Sequence, residues 1–160
     1  MRLKDHVKYS IIPTAGFSFI DWFYALIFFV TAVFVDIYHV FEYFMKTRDL
    51  NIKRMFRFYE SLLYEFREGY YLGISIFHTV EILLIVILAA FYTKIGQYIL
   101  AGLLFHHCLD SVFLIKKRCL FKRSYSIIYY LYVSQYKRSE EFVDMQDKER
   151  EIFEGIVNKF

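Results

Sequence analysis

The sequence holds little that would break a helix. One proline, Pro13, and six glycines are spread over 160 residues, so long uninterrupted helices are open to most of the chain. Cysteine is as sparse. Cys108 and Cys119 are the only two and make no CxxC pair, which excludes a disulfide framework and a thiolate zinc knuckle. Cys108 lies in an apolar segment and reads as a small buried hydrophobe. There is no HExxH motif, no internal repeat and no low-complexity linker. No cleavable signal peptide is expected, because the first apolar run contains Asp21 and no small-residue cleavage site follows it.

What is present in excess is apolar and aromatic. Apolar residues make up 58% of the chain and aromatics 22%, with 19 Phe and 15 Tyr. That balance fits lipid-facing and interfacial surface better than a small soluble core. Charged residues still reach 23%, too many for a chain lying wholly in hydrocarbon, so a large part must reach water or headgroups. The length is that of one domain.

A crossing helix needs about 20 mostly apolar residues. Three stretches qualify: about 17–41, 71–91 and 95–115, the last two separated by Tyr92, Thr93 and Lys94 and therefore a tight antiparallel hairpin. The tyrosine-rich stretch 125–136 is too short to cross alone and is expected at the interface, a fourth crossing being the alternative. Between the first two spans, 46–69 reads as an amphipathic surface helix, with Ile52, Met55, Phe56, Tyr59, Leu62, Leu63 and Phe66 at helical spacing and Gly69 to end it. Residues 137–160 read as a charged, soluble C-terminal helix with a weak apolar stripe of Phe142, Met145, Ile152, Phe153 and Ile156. The predicted fold is an all-α integral membrane bundle of three spans, with amphipathic and soluble helices attached.

Lys and Arg cluster in 46–69 and again at Lys116, Lys117, Arg118, Lys122 and Arg123, whereas the hairpin between spans two and three holds Lys94 alone. The positive-inside rule puts both basic regions and the C-terminus in the cytoplasm and the hairpin outside. Three spans then put the N-terminus outside, against the charge of Arg2, Lys4 and Lys8. The basic stretches read as topology determinants and anionic-lipid contacts, not as a nucleic-acid site.

Each span carries metal-ligand side chains three or four residues apart: Asp36, His39 and Glu42; His78 and Glu81; His106, His107 and Asp110. On a helix such partners share a face. With the topology above, all three sets fall within roughly 10–15 Å of one membrane boundary at the helical rise per residue. Ionisable groups in hydrocarbon are costly and read as functional by default. Histidine and carboxylate without thiolate suit a divalent metal, zinc first and iron or manganese as alternatives. The expected ligands are His39, His78, Glu81, His106, His107 and Asp110, with Asp36 in support. Glu81 and Asp36 are the expected catalytic carboxylates, Glu81 as general base. A bland account stands beside this one, in which His106 and Asp110 form an intrahelical hydrogen-bonded pair and the buried charges fix helix packing.

The pairing of HTVE at 78–81 with GLLFHHCLDSV at 102–112 resembles small membrane-bound metal-dependent hydrolases. The resemblance covers about residues 70–115. It implies metal-dependent hydrolysis at the inner face of a prokaryotic membrane, carried onto His78, Glu81, His106 and Asp110. A lipid or lipid-linked substrate is the expectation that follows, with membrane lipids as surroundings. The rival from another class is a non-catalytic subunit that recruits a partner, or a second copy of itself, through its C-terminal helix. Iron-dependent lipid oxidation and ion or proton transport by an oligomer are further alternatives.

Overall fold

The computed structural model describes residues 3–68, 74–120, 124–136 and 150–157, with backbone alone at Leu3, 63–68 and Ser134. Every regular element among the described residues is helical: α1 Leu3–Ser18, α2 Trp22–Phe34, α3 Ile37–Thr47, α4 Ile52–Glu68, a 3-10 turn Ile76–His78, α5 Val80–Tyr92, α6 Lys94–Lys116 and α7 Ile127–Tyr136. A last helix, α8, covers 150–157. The chain forms two compact units, Met1–Ile37 with Ile76–Lys116 and Tyr38–Ser75 with Lys117–Phe160.

In the first unit α1 packs on α2, α2 on α6 and α5 on α6. Asp21, which interrupts the first apolar run, is the N-cap of α2. Its Oδ1 accepts the Phe23 N–H at 2.8 Å and the Tyr24 N–H at 3.4 Å, satisfying donors that the first turn leaves open. Rings tie the same end together, with Tyr24 stacked on Tyr98 and Phe17 against both Phe28 and Tyr98. Two glycines set how closely helices approach. A Cβ on Gly102 would lie 2.8 Å from the Phe28 carbonyl oxygen and from Thr31 Cβ, so α2 and α6 cross there backbone to backbone. A Cβ on Gly96 would lie 2.5 Å from the Ala89 carbonyl oxygen. The α5–α6 hairpin closes at Thr93, whose N–H bonds the Ala89 carbonyl and whose hydroxyl accepts the Gly96 N–H.

Two helical stretches are long and apolar enough to cross a membrane, Trp22–Thr47 and Lys94–Lys116. Only 22% and 28% of the residues in their most apolar windows are buried in the protein, whereas the core helix of a soluble protein is covered by its neighbours. The expected second span does not reach that length. The helix there is α5, 13 residues starting at Val80, which rises roughly 20 Å against about 30 Å of hydrocarbon. Its start is shifted because the preceding residues form the 3-10 turn and Thr79 is extended at the N-cap, φ −92° and ψ 152°. The expected helix start at Tyr71 lies outside the described residues. Residues 3–16, for which no element is expected from sequence, belong to α1, with Pro13 inside it, and α1 takes in the first two residues of the expected span 17–41.

In the second unit Tyr43, Met55, Phe58 and Leu62 form a buried core, flanked by Tyr59, Ile152, Phe153 and Ile156. Part of the amphipathic stripe of α4, Met55, Tyr59 and Leu62, is thus covered by protein, whereas Ile52 is exposed. The stripe of the C-terminal helix is used within its own chain. Phe58, absent from the expected stripe, is the most buried member on α4, and Phe56 is exposed. The expected helix from 46 to 69 is divided: α3 ends at Thr47, Arg48 takes the left-handed conformation (φ 56°), and α4 begins at Ile52. Asn51 caps α4 by accepting the Lys53 and Arg54 N–H groups at 3.0 and 3.2 Å. The side chains of Leu63 and Phe66, together with Gly69, Lys122, Arg123, Phe142 and Met145, lie outside the described residues.

Asp49 holds this corner. Burial alone would raise its pKa, but the Asn51 N–H at 2.9 Å, the Tyr43 hydroxyl at 2.9 Å and Arg54 Nη1 at 3.3 Å outweigh it and hold the carboxyl below its usual value. A carboxyl depressed by folding contributes stability above its unfolded pKa of about 3.9, and that contribution disappears as pH falls through the folded value. Asp49→Asn should therefore lower the thermal midpoint at pH 7 and flatten its decline on acidification toward pH 3, the check being midpoints of both proteins across that range. Gly102→Ala should cost about 1–3 kcal/mol by forcing α2 and α6 apart. An unchanged unfolding midpoint in detergent would show that the helices do not cross at that residue.

Candidate metal centre

Four elements of the first unit each turn a chelating side chain inward. His6 comes from α1, Asp36 from the two-residue turn between α2 and α3, His78 from the 3-10 turn, and His106 with Asp110 from successive turns of α6. One ligand atom from each of His6, Asp36, His106 and Asp110 lies within 4.8 Å of the other three. Each carboxylate divides its oxygens between opposite sides of the group. Asp110 offers Oδ1 to His6 Nε2 at 3.3 Å and Oδ2 to His78 Nε2 at 3.0 Å and His106 Nε2 at 3.7 Å. Asp36 offers Oδ2 to His6 Nε2 at 3.7 Å and Oδ1 to His106 Nε2 at 3.4 Å and His78 Nε2 at 3.9 Å. The His6 and His106 rings stack at 4.2 Å between centroids.

The tautomer of His106 follows from geometry. Its Nδ1 lies 2.9 Å from the Ala32 carbonyl oxygen, which can only accept, so Nδ1 carries the proton. Ala32 is in the last turn of α2, where carbonyls lose their helical donors. Nε2 then faces the Asp36 carboxylate at 3.4 Å, a lone pair if the ring is neutral and a second N–H if it is charged. Among the described residues, His106 Nε2 and both nitrogens of His6 are buried without a hydrogen-bond partner. A lone pair facing a carboxylate in a buried site is unfavourable unless a cation lies between them.

A divalent metal fits these residues. Bonds of 2.0–2.2 Å in a tetrahedral shell separate neighbouring donors by about 3.3–3.6 Å, and the four nitrogen–oxygen separations among His6, Asp36, His106 and Asp110 run from 3.3 to 3.7 Å. The His106 bond to a backbone carbonyl is the outer partner that metal-bound histidines usually have. Nitrogen and carboxylate donors without sulfur suit zinc, iron or manganese.

Of the residues expected from sequence, Asp36, His106 and Asp110 are in the converging group, and His78 lies beside it, hydrogen-bonded to Asp110 at 3.0 Å. The His107 ring is half-buried, 4.8 Å from the His78 ring and 6.1 Å from that of His106. Glu81 sits in the first turn of α5, also half-buried, and is not in the group of converging ligand atoms. His39 belongs to the second unit, where its Nδ1 lies 3.2 Å from Glu42 Oε2 and its carbonyl accepts the Tyr59 hydroxyl. Helical hydrogen bonding pauses at Val35–Asp36, so Asp36 and His39 do not act as two positions on one uninterrupted helix. His6 is the residue that sequence reasoning missed. It stands among Lys4, Asp5 and Lys8, whose charge conceals a fully buried side chain. The available signal was the histidine count, since His6 is the one of five outside the apolar runs.

No protein-family model, curated protein or solved structure matches the chain. The likeness to membrane-bound hydrolases therefore rests on the short motifs around His78 and His106 alone.

Asp110 faces all three histidines, so removing its charge should destabilise the first unit with or without metal. Asp110→Asn should cost about 3–5 kcal/mol, the usual penalty for breaking a buried charged cluster. Glu42→Gln, which removes a partly exposed pair, should cost about 1 kcal/mol or less. Unfolding midpoints in one detergent compare the two, and equal losses would show that Asp110 is not the centre of the group.

Proposed function

We propose that the protein is a membrane-embedded metalloprotein and that it hydrolyses a lipid or lipid-linked substrate. His6, His78 and His106 would hold the metal through Nε2, together with Asp36 and Asp110. The observation that carries this reading is the convergence of His6, Asp36, His106 and Asp110, one ligand atom of each within 4.8 Å of the other three. A bound metal of this kind supplies Lewis acidity and lowers the pKa of a water molecule to about 7. Zinc suits the hydrolytic reading, and iron would point to oxidation instead.

The chain's own residues divide the work. His106 and Asp110, one helical turn apart, set the register of the site. Asp36 is its most accessible member, with 19% of the side chain exposed against 0–8% for the others, and so marks the side from which a substrate group would enter. Glu81, three residues beyond His78, is the general base in this reading. Exposed apolar side chains on the helices around the site, among them Leu26, Val30, Leu84 and Leu88, suit a substrate arriving with acyl chains. The cytoplasmic placement of the basic segments belongs to the same proposal.

One observation favours a second reading. His78 and Asp110 make a well-formed 3.0 Å hydrogen bond that joins the 3-10 turn to α6 with no need of metal. A non-catalytic membrane subunit could use the whole group as protonated ion pairs that fix packing.

Elemental analysis of protein purified without chelators separates the two. Near-stoichiometric zinc, iron or manganese is expected in the wild type and in His39→Ala, and its loss in His6→Ala and His106→Ala. A wild type that holds no metal after reloading would overturn the metalloprotein reading. With metal in place, Glu81→Gln should retain the ion and lose turnover on lipid phosphate and carboxylic esters. Full turnover in that variant would remove Glu81 as the base.

A further inference from the structure

The two stacked histidines are held differently. His106 has the Ala32 carbonyl on its Nδ1, 2.9 Å away. His6 Nδ1 is buried and has no protein partner. Four residues along the same helix, Ser10 is fully buried and its Oγ is also without a partner. Positions i and i+4 lie one above the other, about 5–6 Å apart at Cβ.

A serine inside a helix ordinarily turns its hydroxyl to solvent or back to the carbonyl four residues earlier. Thr14 in α1 does the latter, donating to the Ser10 carbonyl at 2.6 Å. Ser10 does neither, although the residue it would bond is His6 itself. A buried ring nitrogen and a buried hydroxyl, both unsatisfied and one turn apart on one face, each call for a partner. One water molecule, which takes two to four polar partners, can serve both. A hydroxyl can donate to it or accept from it as the ring requires.

We propose that Ser10 is a positioning residue for His6, holding the ring through one bound water on Nδ1. The water accepts the Nδ1–H, so the Nε2 lone pair is presented to the space between Asp36 and Asp110. Histidines that bind metal are generally fixed in this way by a carboxylate, carbonyl or water on the far nitrogen. Ser10 thereby does for His6 what the Ala32 carbonyl does for His106. The inference rests on the metal reading above.

Competition of the purified full-length protein with a chelator for zinc, alongside the unfolding midpoint of the metal-free protein, tests it. Ser10→Ala should weaken zinc binding about 10–100-fold. Its metal-free midpoint should be little changed, because the bond removed is one between a hydroxyl and a water molecule. Ser10→Thr, which keeps the hydroxyl, should stay close to wild-type affinity. Wild-type affinity in Ser10→Ala overturns the proposal. So does a joint fall in affinity and metal-free midpoint that Ser10→Thr does not rescue, since that is a packing effect. A wild type that binds no zinc overturns the metal reading itself, an outcome distinct from failure of the serine variant alone.

Discussion

The arrangement of the first unit depends on one hydrogen bond, from His106 Nδ1 to the Ala32 carbonyl. It exists because α2 ends at Phe34 and leaves carbonyls of its last turn without helical donors. It can form because Gly102, one turn before His106, lets α6 approach α2 at Phe28, one turn before Ala32, and at Thr31 beside it. The small residue and the polar pair therefore work as a unit: the glycine sets the separation, and the histidine sets the register. In an apolar surrounding this matters more than in water, because a misregistered imidazole and a bare carbonyl would both be left unsatisfied.

The charges of the site follow from that register. With α6 fixed on α2, Asp110 lies one turn beyond His106, and Asp36 follows directly on the end of α2. Two carboxylates buried side by side repel, so the arrangement requires positive charge between them. Three histidines surround the pair, and the stacked His6 and His106 rings approach it from one side. Protons on the rings would meet the charge requirement, and His78 already makes a 3.0 Å hydrogen bond to Asp110. A metal ion would meet it too, since one ligand atom from each of His6, Asp36, His106 and Asp110 lies within 4.8 Å of the others.

Much of this was legible in the sequence, and the reasons differ from residue to residue. His106 and Asp110 were readable because i,i+4 spacing within one long helix fixes a shared face whatever the partners are. His78 and Asp36 were readable as costly polar residues at the ends of apolar runs. His39 and Glu42 fit the same pattern but pair with each other, and with Tyr59 and Lys46, in the second unit. Spacing cannot distinguish a ligand pair from a satisfied local pair. His6 was not legible, because its burial comes from tertiary packing of α1 and its sequence neighbours are charged. The amphipathic helix was read correctly in kind, whereas its covering was not, since periodicity reports an apolar face but not what lies against it.

The short α5 has the same origin as the site. A helix that began at Tyr71 would carry His78 and Glu81 on one face, as their spacing suggests. Instead the chain takes a 3-10 turn and an extended Thr79 before the helix starts, and the Thr79 hydroxyl donates to the Ile76 carbonyl at 2.8 Å rather than capping α5. That turn buries His78, 5% exposed, against Asp110 while Glu81 stays on the helix. Length that could have extended a spanning helix is used to direct one imidazole. The exchange gives up helical backbone bonds and gains the buried His78–Asp110 hydrogen bond, which serves packing and a metal site alike. The loss of helix at His78 is intelligible if the position of its Nε2 is what the turn exists to fix.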